Sequence, residues 1–135
     1  MLKVLPIQTK TLQEELCSAC GSVFIPDALA YAAYADEVFC GVCQFKLAPE
    51  GGKILSLASI PGHETFQPMY VMGRAALSFM ETCGAERAVF LPAVDEGSRL
   101  LVRAIGFRET DGVWSCDLRG MFDSPCSGGD RGYDA

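Results

Sequence analysis

Histidine is nearly missing from this sequence: 135 residues include one, His63. Sites built on several histidines are thereby excluded within a single chain, as is a zinc finger of the two-cysteine, two-histidine type. Runs of lysine and arginine are missing too. The 11 basic residues are outnumbered by 17 acidic ones, and the formal net charge is −6. Such a chain has no electrostatic footprint for DNA or RNA and no basic run for acidic lipids. No apolar stretch approaches the ~20 residues that span a bilayer. The opening Met1-Leu2-Lys3-Val4-Leu5-Pro6 lacks an h-region of signal-peptide length. The expectation is a soluble cytoplasmic protein, with no nucleic acid or membrane as partner. There is no internal repeat.

What is present is the material of one core. Half the residues are apolar and 21% are charged, a globular composition. A single domain is expected over residues 1–122. The Ser-, Gly- and Asp-rich stretch 123–135 has little to bury and is expected to be a disordered tail.

The seven cysteines are abundant for this length. Reduced thiols are the expectation outside an oxidising compartment. Cys17-x-x-Cys20 and Cys40-x-x-Cys43 are 19 residues apart, a spacing that also suits a four-cysteine zinc site. Against metal stands the local context. The first pair closes a capped helix, and positions 40 and 43 of a regular strand point to opposite faces. The segment between the pairs is apolar. Buried thiols and no metal are therefore expected, with a zinc site of Cys17, Cys20, Cys40 and Cys43 as the alternative. A redox pair is disfavoured because no helix N-terminus lowers the thiol pKa.

Periodicity gives the elements. Residues 2–7 form a strand. Thr11 and Glu14 fit a capping box, opening a helix over 10–20 whose apolar positions are Leu12, Leu16 and Ala19, closed by Gly21. Residues 28–35 suit either helix or strand, with Asp36-Glu37 available as a hairpin turn. Val38 to Leu47 is β-rich. Lys53 to Ile60 is almost continuously apolar and is expected to be a central strand with both faces covered. After a polar loop, Pro68 suits the first turn of a helix carrying Met69, Met72, Ala76, Phe79, Met80 and Cys83. Residues 88–92 form a short buried strand. Ser98 is the expected cap of a helix with Leu100, Leu101, Ala104 and Ile105 on its apolar side. Phe107–Thr110, Asp111-Gly112 and Val113–Met121 form a hairpin. The three methionines of the long helix are expected to fill the core, and Tyr31 and Tyr34 to pack.

The order is α/β (α+β in some schemes): a mixed, mostly antiparallel sheet with a strand–helix–strand crossover over 54–92 and flanking helices. It resembles the N-acetyltransferase superfamily called GNAT over about residues 2–122. The resemblance is carried by Lys53–Ile60, by Gly73-Arg74-Ala75-Ala76-Leu77-Ser78-Phe79-Met80-Glu81, by Gly84–Phe90, and by the helix ending in Gly106-Phe107 before a hairpin. It implies acetyl-CoA as acyl donor and an amine as acceptor. The pyrophosphate would lie on backbone N–H groups at a helix N-terminus. The family pattern there is Arg/Gln-x-x-Gly-x-Gly/Ala. This chain has a degenerate version: with Gly73 as the last glycine, Pro68 takes the basic position and Val71 the middle glycine. The resemblance implies Tyr70, Val71, Met72, Gly73 and Arg74 near the pyrophosphate, and the backbone of Ala58, Ser59 and Ile60 along the pantetheine.

Amine acetylation needs a base for the ammonium proton and an acid for the departing thiolate. The strand over 53–60 has no carboxylate, and Val102 stands where the family often has a tyrosine. Glu64 is the candidate base, with His63 beside it, and Tyr70 is the candidate acid; His63 otherwise reads as a solvated loop residue. The leading expectation is an acyl-CoA-dependent N-acetyltransferase. The alternatives are a GNAT-like binding or regulatory module that has lost catalysis, and a four-cysteine zinc-stabilised module. Packing of two copies through exposed strands would make a homodimer.

Overall fold

The computed structural model describes residues 1–62 and 66–122. His63, Glu64, Thr65 and the tail 123–135 lie outside them. The first strand, β1 (Leu2–Pro6), is followed by helix α1 (Lys10–Ala19) and a meander of β2 (Leu29–Ala35), β3 (Val38–Ala48) and β4 (Gly51–Ser59). Helix α2 (Phe66–Thr82) crosses to β5 (Arg87–Phe90). Helix α3 (Glu96–Ile105) and a hairpin of β6 (Arg108–Thr110) and β7 (Val113–Asp117) complete the fold. The sheet order is β1-β2-β3-β4-β5-β7-β6. Only β4 and β5 run parallel, because α2 carries the chain back before β5 begins.

The alanine-rich segment resolves as a strand. Ala30, Ala32 and Ala33 are buried between neighbours on both sides, and this pairing overrides the helix preference of alanine. Asp36 and Glu37 have φ of 50° and 72°, the two-residue turn that matches strand twist. Asp111 and Gly112 repeat it with φ of 52° and 81°.

Several local expectations shift. The cap of α1 is Thr9, two residues before the expected Thr11, with Leu12 N donating to Thr9 Oγ1 at 3.1 Å. The helix therefore buries Gln13 and Cys17, while Leu12 stays 38% exposed. The cap of α3 is Asp95; Ser98 sits in the first turn and completes the reciprocal bonds, with Ser98 N donating to Asp95 Oδ1 at 2.8 Å and Asp95 N to Ser98 Oγ at 3.1 Å. The last strand stops at Asp117, because Leu118 and Met121 turn into the core and Leu118 N donates to Glu86 O at 2.9 Å.

One sheet face is covered by α2 and α3, and the other by α1. The larger core gathers Phe45, Ile54, Met72, Leu77, Met80, Val102, Ile105, Phe107 and Leu118. The smaller one holds Cys17, Ala30 and Val42. Helix α2 lies close to the sheet because Gly41 and Gly52 leave room for Met69 and Met80.

The cysteine pairs correct a parity argument. Tyr34 pairs with Phe39 and Ala33 with Gly41, so Cys40 is an extra residue in a β-bulge. The bulge reverses the alternation, and Cys40 and Cys43 both reach the α2-side core. Cys17 and Cys20 belong to the opposite cluster. Among the described residues no group of three or more His, Cys, Asp or Glu side chains converges as a metal site.

Candidate functional site

Strand β4 occupies the centre of the sheet but is paired along its whole length on one side only. Its antiparallel ladder with β3 runs from Gly51 to Ser59. Its parallel ladder with β5 has three pairs, Gly52↔Ala88, Lys53↔Val89 and Ile54↔Phe90. Leu91 N adds a bond to Ile54 O at 3.0 Å. At the next residue β4 bulges: Phe45 pairs with Ile54 and Gln44 with Ser56, leaving Leu55 without a partner on β3. A bulge bends its strand and re-aims the residues beyond it. Past Ile54 the two parallel strands part, and a gap opens between them.

Exposure marks the same place. Ile54 is fully buried, yet residues 55–60 are all half-exposed. The expected cover on both faces is therefore not found: over the first half of β4 only the face of Gly52 and Ile54 is buried, and over the second half neither face is. A strand edge open along 55–59 presents N–H and C=O groups that a ligand with amide groups can bond, as an added strand would.

The first turn of α2 lies over this end of the sheet, since Met69 packs against Gly41 and Gly41 pairs with Ser59. Gln67 carries a first-turn N–H group that points out of the helix end, and Pro68 has none. Tyr70 is half-buried, with its ring stacked on Phe66 at 6.4 Å and 7°. Val71 is half-exposed.

The remaining residues named for the cofactor serve packing. Met72 is fully buried, and Gly73 faces α3, where a Cβ would lie 2.6 Å from Ile105 Cδ1. The Arg74 guanidinium donates to Ile105 O at 3.0 Å and covers the Phe122 ring at 4.9 Å. It ties the end of α3 to the last described residues. So Ala58, Ser59, Ile60 and the first turn of α2 come together at the gap, whereas Met72, Gly73 and Arg74 sit deeper along the helix. Glu64 lies outside the described residues. Val102 is buried in the core.

Burial makes Cys20 and Cys43 poor nucleophiles. Burial pushes the Cys43 thiol up to about 12, and Cys20 up to about 11 with the Cys17 and Cys40 thiols adding to the effect. A charged crevice of about 410 Å³ opens at the opposite end of β5 and β7, lined by Glu50, Glu86, Arg87, Asp117 and Arg119. Its Asp117 and Arg119 bond each other at 2.8 Å, and its Glu50 is held by Lys53 at 2.9 Å. These pairs engage Asp117, Arg119 and Glu50 of the crevice.

Sequence reasoning missed Gln13, Gln44 and Ser56. Gln44 Nε2 donates to Ser56 Oγ at 2.8 Å, and Gln13 Nε2 to Gln44 Oε1 at 3.0 Å. The one signal was a glutamine between Cys43 and Phe45 in a mostly apolar strand.

No family model and no curated protein matches the sequence. Solved structures do match the fold. An IAA acetyltransferase from Bacillus cereus superposes with a TM-score of 0.69 at 16% identity, covering 87% of this chain and 99% of that one. An acetyltransferase from Bacillus subtilis in complex with CoA gives 0.67 at 15% identity, with coverage of 87% and 99%. A GNAT family acetyltransferase from Brucella melitensis in complex with acetyl-CoA gives 0.63 at 13% identity, with coverage of 96% and 94%. No helix among the described residues is long and apolar enough to cross a membrane. The seven-stranded mixed sheet, the crossover helix and the parted strands make this chain a single domain with the fold of the GNAT acetyltransferases.

Proposed function

We propose that the protein is an acyl-CoA-dependent N-acetyltransferase. The observation that carries the reading is the half-length ladder between β4 and β5: a sheet interior opened on one side of Leu55, beside a helix N-terminus. Acetyl-CoA is a thioester with an amide-bearing arm and a pyrophosphate. The arm suits the open edge at Ala58, Ser59 and Ile60. The pyrophosphate suits the N-terminal end of α2 at Gln67, where the helix field favours negative charge, with Tyr70 and Val71 alongside. Similar folds hold CoA or acetyl-CoA in Bacillus subtilis and Brucella melitensis acetyltransferases.

In the reaction the amine nitrogen attacks the thioester carbonyl carbon and the C–S bond breaks. Backbone N–H groups along β4 stabilise the charge on the carbonyl oxygen. Glu64 takes the ammonium proton, and the Tyr70 hydroxyl protonates the leaving thiolate. Cytoplasmic residence and a homodimer through an edge strand belong to the same proposal.

A second reading has its own support. Residues 55–60 carry no carboxylate, and Val102 fills the place of the family tyrosine. A binding or regulatory module that keeps the cleft without turnover fits those facts. Calorimetric titration with acetyl-CoA, and then thiol release in the presence of a panel of amines, separates the readings. One-site binding with turnover supports the enzyme, and binding without turnover supports the module. No binding at millimolar acetyl-CoA overturns both.

A further inference from the structure

Two polar side chains are buried among the described residues: Gln13 of α1, 1% exposed, and Gln44 of β3, 0% exposed. They stand in a line of hydrogen bonds that begins at a surface ammonium. Lys10 Nζ donates to Gln13 Oε1 at 3.1 Å, Gln13 Nε2 to Gln44 Oε1 at 3.0 Å, and Gln44 Nε2 to Ser56 Oγ at 2.8 Å.

Backbone groups fix the direction of the line. Ile25 N bonds Gln44 at 2.9 Å. A backbone N–H can only donate, so the Gln44 atom facing it is the oxygen. Gln44 Nε2 then meets Val23 O at 2.8 Å, and Gln13 Nε2 meets Ile25 O at 3.2 Å. Both carbonyls can only accept. Neither amide can be flipped without setting like against like. The Ser56 oxygen is therefore an acceptor toward Gln44, and its own proton must point elsewhere.

Ser56 is half-exposed and stands two residues past Ile54, where β4 and β5 part. Each donor in a directed chain polarises the next, so this hydroxyl is a strengthened donor held at the gap. The same network pins Val23 and Ile25 on Gln44. An ammonium or a neutral amine flanked by its own N–H groups gains little from such a donor. A carbonyl or carboxylate oxygen gains most. The backbone edge of β4 suffices for the acyl donor, while Ser56 shares its face with Gln44 and α1.

We infer that Ser56 is the hydrogen-bond donor of the acceptor subsite, and that the preferred acceptor carries a carbonyl or carboxylate oxygen next to its amine. Gln44, Gln13 and Lys10 are positioning residues. The inference rests on the acetyltransferase reading.

The test uses the full chain, acetyl-CoA, and two matched probes: phenylalaninamide, with a carbonyl beside the amine, and 2-phenylethylamine, without one. The readout is the ratio of kcat/KM for the two probes, compared between wild type and variant so that amine basicity cancels. Ser56→Ala is expected to lower the ratio at least tenfold, the kind of loss seen when a hydrogen-bonding site is emptied. Its acetyl-CoA Kd stays within twofold, which assigns the loss to the acceptor side. Ser56→Thr keeps the hydroxyl and the ratio. Gln44→Glu draws the Ser56 proton inward and loses the ratio as Ser56→Ala does. An unchanged ratio in Ser56→Ala overturns the inference, as does a wild type that binds acetyl-CoA but acetylates neither probe. A wild type that binds no acetyl-CoA overturns the underlying reading, and the inference falls with it.

Discussion

Gly73 of α2 and Ile105 of α3 occupy one space: a Cβ on the glycine would lie 2.6, 3.1 and 3.2 Å from Ile105 Cδ1, Cγ1 and Cγ2. Three atoms of a fully buried, β-branched side chain cannot all give way, so the helix crossing depends on the missing methyl group. Gly73→Ala is expected to destabilise the fold. Overpacking of this kind costs about 1–3 kcal/mol, against about 1 kcal/mol gained from helix propensity. Denaturant unfolding checks it: the midpoint falls in Gly73→Ala and recovers in part when Ile105→Val removes the outer carbon.

Gln44→Leu tests the buried polar line as a stabilising device. The substitution strands Ile25 N, Val23 O and part of the Gln13 amide. A buried group left unpaired costs about 1–3 kcal/mol, so the variant is expected to lose about 3 kcal/mol or more by equilibrium unfolding. Ser56→Ala removes a bond at the half-exposed end and is expected to lose less.

Acid stability is set by the carboxylates. The Arg119 guanidinium holds Asp117 down to about 2, from an ordinary 3.8. Bonds from Ser98 lower Asp95, and the Lys46 ammonium lowers Asp27. A carboxyl group with a folded pKa below its unfolded value stabilises fully above the unfolded value, and that stabilisation is lost as pH falls through the folded one. The melting temperature is therefore expected to hold down to about pH 5 and to fall between about pH 4 and pH 2. Asp117→Asn lies below wild type at neutral pH, and the difference closes near pH 2. Added salt narrows it as well, since both partners are exposed.

Thiol reactivity reports the two clusters. Cys17 and Cys43 are fully buried, and burial raises both thiols; Cys83 is exposed. Among the described cysteines, an alkylating reagent near neutral pH is expected to label Cys83 first, and to reach Cys17 and Cys43 only after denaturation. Peptide mapping by mass spectrometry reads the order. Labelling of Cys43 in the native protein would contradict the packing of β3 under α2.

The parts of this fold that were legible are those set by neighbours in the chain. Asp111-Gly112 specifies its turn within two residues, and the long helix shows in the spacing of Met69, Met72, Ala76 and Met80. The parts that were not legible depend on distant partners. Leu12, Leu16 and Ala19 repeat at helical spacing, but α1 buries Gln13 and Cys17 because Gln13 finds Gln44 across the sheet. The bulges at Cys40 and Leu55 each arise from pairing with another strand, so nothing at those positions announces them. At the site, Ala58 to Ile60 and the start of α2 were named together only through the family resemblance. The packing role of Gly73 was hidden because a helical glycine looks alike whether it faces a phosphate or a neighbouring helix.

The short ladder between β4 and β5 has a consequence for assembly. Among the described residues this ladder, with the adjoining Leu91 N–Ile54 O bond, is the sole backbone pairing between the meander of residues 2–59 and the terminal strands of 87–117, and it closes the long excursion through α2. The meander and the hairpin form from local contacts, whereas their union must first overcome the entropy of that loop. In backbone pairing the sheet is two pieces joined along a narrow seam, while one side-chain core spans both. A ligand lying along the open half of β4 would lengthen the seam, so occupancy of the cleft and cohesion of the two pieces become a single equilibrium.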